Sequence, residues 1–450
     1  MELKEKRVFV AGLGVSGVAL CRVLVNLGAN VIAYDRKNEI ALKEALEELK
    51  DLPVEIKLGE FKEEFLKGIE LVVLSPGISL ESEIVKKAKD MGLEILGEVE
   101  LAYRLSKAPI YAITGTNGKT TTTSLLGEMF RNAGRKVYVA GNIGYPLIYA
   151  ALEAGPNDHI VAEISSFQLE TVKEFRPKIS CIINITPDHL DRHKTFENYA
   201  NIKGRIFENQ REEEYVVLNY DDPVTWGLKE KAKAKVFPFS RKKVLENGSY
   251  VKEGFLYLQN KKVIKVEDIY IPGEHNLENA LAASSVAYLS GIEVDAIETT
   301  LRTFKGVEHR IEFVAEIEGI KFYNDSKGTN PDASIKAIQA LKTPIVLIAG
   351  GYDKGSEFDE FVKAFDKKVR KLILIGQTAQ KIKKTALKYS YPEEDIFLAD
   401  SLEKAVRKAY EVAEKGDSVL LSPACASWDM FKNFEERGKA FKKAVMDLRR

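Results

Sequence analysis

A short apolar run, Tyr111 to Thr114, ends in two glycines, Gly115 and Gly118, which bracket Thr116 and Asn117 and are followed by Lys119, Thr120 and Thr121. Apolar periodicity resumes from Leu125 to Phe130, so the spacing predicts strand, tight loop and helix in succession. Few patterns constrain a chain as much. Glycines let backbone N–H groups turn towards an anion, and the helix N-terminus adds partial positive charge. Lys119 supplies a full charge, and the Thr120 hydroxyl suits a magnesium ion. The two glycines are separated by only two residues, so the loop is shorter than the standard G-x-x-x-x-G-K-[ST] phosphate loop. An ordinary Gly-rich strand-to-helix turn is the alternative; Gly-Lys-Thr directly after a β run favours a nucleotide, and ATP is the expected ligand.

At 450 residues the chain is long enough for several domains, and three are expected. Its 45% hydrophobic and 30% charged residues describe an ordinary globular chain. Basic and acidic residues balance at 67 each, which leaves no positive field to hold nucleic acid or an anionic membrane. Cys21, Cys181 and Cys425 are odd in number and far apart, a pattern of reduced thiols rather than of a disulfide framework or a zinc site. With no secretory apolar segment after Met1 and no apolar stretch near bilayer length, a cytoplasmic protein without a membrane partner is expected.

The start of the chain reads as a strand (Arg7 to Ala11), a Gly12-Leu-Gly14-Val15-Ser16-Gly17 turn, a helix to about Leu27 and a strand ending at Asp35. This is a dinucleotide-type fingerprint with an acidic residue where a ribose hydroxyl would be held. A second turn, Ser75-Pro-Gly77-Ile78, follows the strand Leu71 to Leu74 and lines the same crevice. NAD(P), another diphosphate ligand and a purely structural role all stay open; the separate phosphate loop favours another diphosphate. The domain ends near Gly97, and a helix from Glu98 to Leu105 leads into Pro109.

From there strand and helix alternate: Lys136 to Ala140 before Gly141-Asn142-Ile-Gly144, His159 to Ile164 carrying Glu163, and Ile179 to Ile185 before Asp188-His189. Polar residues at the carboxyl ends of successive strands converge where an open α/β sheet binds its ligand, which makes Glu163 and His189 candidate metal-side groups. Lys203 lies in a helix read from Asn198 to Asn209, where a solvated basic face is the plain reading. Short strands fill about Val236 to Tyr270, and Asn276 and Asn279, three apart on the next helix, either cap it or hold an adenine edge. A third unit begins near Gly306, with strands at Lys321 to Asn324, Ile345 to Ala349, Lys371 to Ile375 and Ser418 to Leu421. Arg310, Lys327 and Lys354 near strand ends suit a second anionic substrate.

Taken together, Thr114-Gly-Thr-Asn-Gly-Lys-Thr120, Gly141-Asn-Ile-Gly144, Glu163 to Glu170, Asp188-His-Leu-Asp-Arg192, His275 to Asn279, His309-Arg310, Asn324 to Lys327 and Ser422 to Ser427 closely resemble the Mur ligase family over essentially the whole length. The phosphate loop alone also admits folylpolyglutamate synthetases. The stretch Ser422 to Gly438 and the Rossmann-like first domain point to the D-glutamate-adding members. The resemblance implies an α/β fold of three domains: a Rossmann-like N-terminal domain (1–97) for the UDP moiety, a central P-loop domain (98–306) for ATP and magnesium, and a Rossmann-like C-terminal domain (307–450) for the amino acid. It implies an ATP-dependent ligase, acting as a monomer, that adds D-glutamate to UDP-N-acetylmuramoyl-L-alanine through an acyl phosphate.

By the same resemblance Gly115 to Thr121, with Asn276, Asn279, Arg310 and Asp325, contact ATP, and Thr120, Glu163 and His189 hold or adjoin magnesium. Lys203 matches a lysine that is carbamylated in such ligases. Lys119, Glu163, His189 and Lys203 form the catalytic set. Gly14, Val15, Ser16, Asp35, Arg36, Ser75, Gly77 and Asn142 match the UDP-substrate side, and Lys327, Thr329, Lys354, Ser427 and Phe434 the D-glutamate pocket. Asp35-Arg36-Lys37 departs from the Asp-Thr-Arg run of some members. A nucleotide-dependent oxidoreductase or a P-loop binding protein without ligase chemistry accounts for one motif each, and neither accounts for the third unit.

Overall fold

The computed structural model describes residues 1–449 apart from Gly144, Lys342 and Lys354. Internal contacts divide the chain into two units, Met1–Asp268 with Glu278–Leu301, and Ile269–Leu277 with Arg302–Arg450.

The first unit holds two sheets. Strands β1 (Arg7–Ala11), β2 (Asn30–Asp35), β3 (Val54–Leu58), β4 (Leu71–Leu74) and β5 (Glu94–Gly97) are all parallel, in the order β3-β2-β1-β4-β5. Their apolar runs are nearly continuous because both faces are covered. Val8, Val10, Val31 and Val73 enter one core, and Phe9, Ile32, Val72 and Leu74 enter the other. Strand order reverses beside β1, the place where such sheets open a ligand crevice at their carboxyl ends. Gly17, in the helix Val15–Asn26, packs so tightly there that a Cβ would lie 1.8 Å from the Gly12 carbonyl oxygen.

The second sheet contains β6 (Ile110–Thr114), β7 (Val137–Gly141), β8 (His159–Glu163), β9 (Ile179–Ile182), β10 (Tyr215–Asn219), β11 (Lys235–Ser240), β12 (Ser249–Lys252), β13 (Phe255–Leu258) and β14 (Lys261–Lys265), in the order β14-β13-β12-β11-β10-β9-β6-β8-β7. It is parallel from β7 to β12 and closes with the antiparallel run β12-β13-β14. The strand expected to reach Ile185 stops at Ile182: Asn184 turns its carbonyl and side chain to the phosphate loop, and Ile185 N–H donates to the Asp222 carboxylate. The helix expected over 198–209 runs from Phe196 to Gly204 and tightens into a 3₁₀ turn at Arg205–Phe207.

In the second unit, β15 (Glu312–Ile317), β16 (Ile320–Asn324), β17 (Ile345–Ala349), β18 (Val369–Leu374), β19 (Ile396–Leu398) and β20 (Ser418–Leu421) take the order β15-β16-β20-β17-β18-β19. Only the edge strand β15 is antiparallel. Leu347, Leu372 and Leu420 face one core and Val346, Ile373 and Val419 the other.

Within the first unit, Glu100 on the helix Glu98–Leu105 is fully buried. Its carboxylate accepts Arg104 Nε at 2.8 Å and the backbone N–H groups of Lys173, Glu174 and Phe175 at 2.8 to 3.1 Å. Removing one member of a buried charged set leaves the others unpaired, so Glu100→Ala is expected to cost about 3–5 kcal/mol. A urea titration checks this, and a loss under about 1 kcal/mol, within the range of an exposed pair, would contradict it.

Candidate active site

The phosphate loop leaves β6 at Thr114 and enters the helix Lys119–Asn132 through Gly118, whose φ of 84° is open to glycine at little cost. A Cβ on Gly118 would also lie 2.1 Å from Asn279 Oδ1, so the residue is fixed by space as well as by φ. Asn279 further accepts the Thr122 hydroxyl at 3.3 Å, which sets it against the loop. Asn276, by contrast, donates its amide to Pro272 O at 2.7 Å and so closes the preceding turn. Lys119 folds back on the loop and donates to Gly115 O at 2.9 Å and Thr116 O at 2.8 Å.

Residues just past β9 brace the loop from outside. Thr116 N–H donates to Asn184 O, and Asn117 exchanges its N–H and carbonyl with the Asn184 side chain at 2.9 and 3.1 Å. The Thr116 hydroxyl lies 3.2 Å from the Tyr199 hydroxyl and accepts Thr186 N–H at 3.0 Å. Neither Asn184 nor Tyr199 belongs to the sequence-based set.

Lys203 is not on a solvated face. It is 1% exposed, donates to Gly115 O at 2.8 Å and lies 4.7 Å from the centre of the Tyr199 ring. Burial, and then the charge of Lys119, hold its ammonium well below the ordinary lysine range, while Asp188 and Glu163 act the other way. Glu163 is 2% exposed at the end of β8. Its Oε1 accepts the Asn142 amide at 3.0 Å, and Oε2 is buried without a donor among the described residues. A buried, unsatisfied carboxylate oxygen beside a phosphate loop fits a divalent cation. Loop, Lys203, Glu163 and Asn142 therefore form one cluster. His189 is half exposed at a φ of 52°, with its ring against Phe167 and 3.5 Å from the Asp188 carboxylate.

At the reversal point of the first sheet, Ser75 Oγ donates to Gly12 O at 2.8 Å, and Leu13 N–H donates to the Asp35 carboxylate at 2.8 Å. Asp35 thus closes the glycine turn as well as lining a cavity of about 680 Å³ with Tyr34, Arg36, Gly77 and Ile78. Gly14 and Val15 are exposed and Ser16 is half-buried.

In the second unit, Asp325 accepts Ser422 Oγ at 2.7 Å and Ile311 N–H at 3.2 Å. Burial pushes its carboxyl up to about 6, against the pull of Arg310. Lys327 Nζ lies 5.6 Å from the Phe434 ring centre, Thr329 N–H donates to Lys327 O, and Ser427 is buried. Lys354 lies outside the described residues. Sequence reasoning missed Arg437. It is buried, and it donates to Ser326 Oγ and O and to the Cys425 and Ala426 carbonyls at 2.9 to 3.2 Å, tying the ends of β16 and β20 together.

Asn184→Ala removes two hydrogen bonds to the loop, each contributing about 1 kcal/mol. The expected result is a rise in the KM for ATP of about ten- to thirtyfold with the melting temperature nearly kept. Steady-state kinetics check it, and an unchanged KM would show that the loop holds its shape alone.

Three family descriptions match the chain: "Mur ligase MurD-like, N-terminal domain" over residues 6–97, "Mur ligase middle domain" over 113–287 and "Mur ligase, glutamate ligase domain" over 309–425. A protein of Caldanaerobacter subterraneus subsp. tengcongensis named UDP-N-acetylmuramoylalanine--D-glutamate ligase is 99% identical over 450 residues, 100% of both chains. Proteins of the same name from Alkaliphilus oremlandii and Clostridioides difficile are 53% and 47% identical, each over 100% of both chains. Among solved structures, MurC of Thermotoga maritima aligns with a TM-score of 0.61 at 18% identity over 98% of this chain and 99% of that one. MurF ligase of the same organism, solved with ADP, aligns at 0.59 and 20% identity over 99% and 96%. The fold is thus shared well beyond the reach of sequence identity. By its three matched domains and its full-length relatives, the chain belongs to the Mur ligase family.

Proposed function

We propose that the chain is an ATP-dependent amide ligase that joins D-glutamate to UDP-N-acetylmuramoyl-L-alanine, releasing ADP and phosphate, in the synthesis of peptidoglycan precursors. The observation that carries this reading is the cluster in which buried Lys203 and the donor-less oxygen of Glu163 flank the phosphate loop. The name of the 99% identical relative supports the choice of amino acid.

The substrate carboxylate attacks the γ-phosphorus of ATP; the new O–P bond forms as the bond to ADP breaks. The amine of D-glutamate then attacks the acyl carbon, phosphate leaves with the C–O electron pair, and the amine proton goes to solvent. No protein nucleophile is needed, because positioning and charge stabilisation make up most of such catalysis. Lys119 exchanges the Gly115 and Thr116 carbonyls for phosphate oxygens as ATP enters. Glu163, with Thr120, His189 and a carbamylated Lys203, would hold magnesium. When bound, that ion neutralises charge on the transferring phosphoryl group. Asn142 keeps the Glu163 carboxylate turned inward. Carbamylation joins the neutral Lys203 amine to carbon dioxide and releases a proton, and the remaining N–H still donates to Gly115 O. Burial favours the neutral amine that this step needs.

In this reading residues 1–97 take the UDP moiety, 98–306 ATP and magnesium, and 307–450 D-glutamate through Lys327, Thr329, Lys354, Ser427 and Phe434. The enzyme is a cytoplasmic monomer with small-molecule partners only. None of the described helices is long and apolar enough to cross a membrane.

Phosphate release from ATP, with UDP-N-acetylmuramoyl-L-alanine as acceptor and a scan of D- and L-amino acids, tests the proposal. D-glutamate alone is expected to turn over strongly, since polar partners left unpaired penalise a wrong side chain heavily. Equal rates with L-lysine or D-alanyl-D-alanine would assign the chain to another member of the family. For Lys203, Lys203→Arg is expected to be nearly inactive, and Lys203→Glu, which restores a carboxylate, measurably more active. The reverse ranking would mean that Lys203 acts as a cation.

A further inference from the structure

Glu98 opens its helix directly after β5, and it is only 2% exposed. Its Oε1 receives Ile148 N–H at 3.4 Å, and Leu147 N–H and the Ser16 hydroxyl are near enough to favour its ionised form against the burial that opposes it. Its Oε2 is buried and has no donor among the described residues. Two helix N-termini thus meet over one incompletely satisfied carboxyl: that of Val15–Asn26, whose outer end at Gly14 and Val15 is exposed, and that of Leu147–Glu153.

The charged and titratable side chains on the surrounding elements are engaged elsewhere. Glu100 faces Arg104 and the Lys173–Phe175 amides, and Arg22 pairs with Glu48 at 3.6 Å. Glu153 accepts the Tyr145 hydroxyl, and Asp35 accepts Leu13 N–H. Burial keeps the Cys21 thiol and the Tyr149 phenol neutral. The groups that act on Glu98 are a hydroxyl and two amides, all uncharged.

We propose that Glu98 is a positioning residue for the diphosphate of the UDP-linked precursor, and that it takes up one proton when the precursor binds. The inference rests on the reading above that residues 1–97 take the UDP moiety, with Gly14, Val15 and Ser16 among its contacts; the helix N-terminus they form suits its diphosphate. A serine hydroxyl has one proton to give. While Glu98 is a carboxylate, Ser16 gives that proton to it and shows an incoming ligand only lone pairs. A diphosphate accepts and cannot donate, so that arrangement sets acceptor against acceptor, with two anions at one helix N-terminus. Once Glu98 takes a proton from solvent, its O–H donates to Ser16 Oγ, and the Ser16 proton turns to the phosphate. No covalent bond forms or breaks apart from these proton shifts. Burial already holds the Glu98 carboxyl above the ordinary carboxylate range, which brings the uptake towards neutral pH.

Calorimetry of UDP-N-acetylmuramoyl-L-alanine binding to the whole chain, in neutral buffers of different ionisation enthalpy, reads the proton directly. The doubly esterified diphosphate has no group that titrates there. Wild type is expected to take up close to one proton per site, and its affinity to fall up to about tenfold per pH unit as pH rises through the Glu98 titration. Glu98→Gln, whose amide donates permanently, is expected to lose the uptake and flatten the pH profile, with a melting curve to show that it folds. Ser16→Ala, at a half-buried position, is expected to lose the uptake and bind more weakly. Binding by wild type without proton uptake overturns the inference, as does uptake that survives in both variants. No binding of the precursor at all overturns the underlying reading of the first domain instead, so the two failures are distinguishable.

Discussion

One carbonyl oxygen, that of Gly115, accepts hydrogen bonds from two lysines, Lys119 at 2.9 Å and Lys203 at 2.8 Å. Two ammonium groups on a single acceptor would repel each other, and burial together with the charge of Lys119 favours the neutral amine at Lys203. Asp188 and Glu163 act against that shift without reversing it, and the Tyr199 ring lies against Lys203 Nζ at 4.7 Å. Much of the second sheet converges here. The end of β6 supplies the carbonyl, β8 the carboxylate, the chain after β9 the braces, and the helix Phe196–Gly204 the second lysine. The site thus sets one cationic arm, Lys119, and one unsatisfied carboxylate oxygen, that of Glu163, around the same loop.

Much of this was legible in the sequence. Parallel strands covered on both faces are near-continuous apolar runs, and β1, β4, β17 and β20 lie where those runs predict. The edge strands of the last sheet were not legible. β15, Glu312–Ile317, holds only a three-residue apolar run between Glu312 and Glu316, and β19 is three residues long, so neither stands out from loop. Side chains of a motif were recognisable because spacing carries them. Asn184 and Tyr199 were not, since a single amide past a strand end or one tyrosine on a helix has no spacing to read. Lys203 needed the resemblance: an amphipathic pattern gives no hint that a lysine is enclosed.

Buried charge held largely by backbone groups recurs in both units. Arg437 satisfies its guanidinium largely with backbone carbonyls, and its ionisation is lowered to about 10 by burial. Glu100 satisfies its carboxylate chiefly with backbone N–H groups. In each case an ion acts as a multidentate clamp on chain segments distant in sequence, a use that fixes geometry more than it adds stability. Such clamps are invisible to composition, because an Arg or Glu on a helix ordinarily reads as solvent-facing.

The contact between Gly118 and Asn279 has a consequence for how this sequence can vary. Asn279 Oδ1 fills the space in which a side chain on Gly118 would begin, and the loop conformation separately disfavours one. Shrinking Asn279 would relieve the crowding and leave the backbone strain, and re-forming the turn would relieve the strain and leave the crowding. A replacement at Gly118 becomes tolerable only when both change together. These positions, 161 residues apart in the chain, therefore form a lock with two keys, and any mutational path that moves one step at a time meets a barrier there.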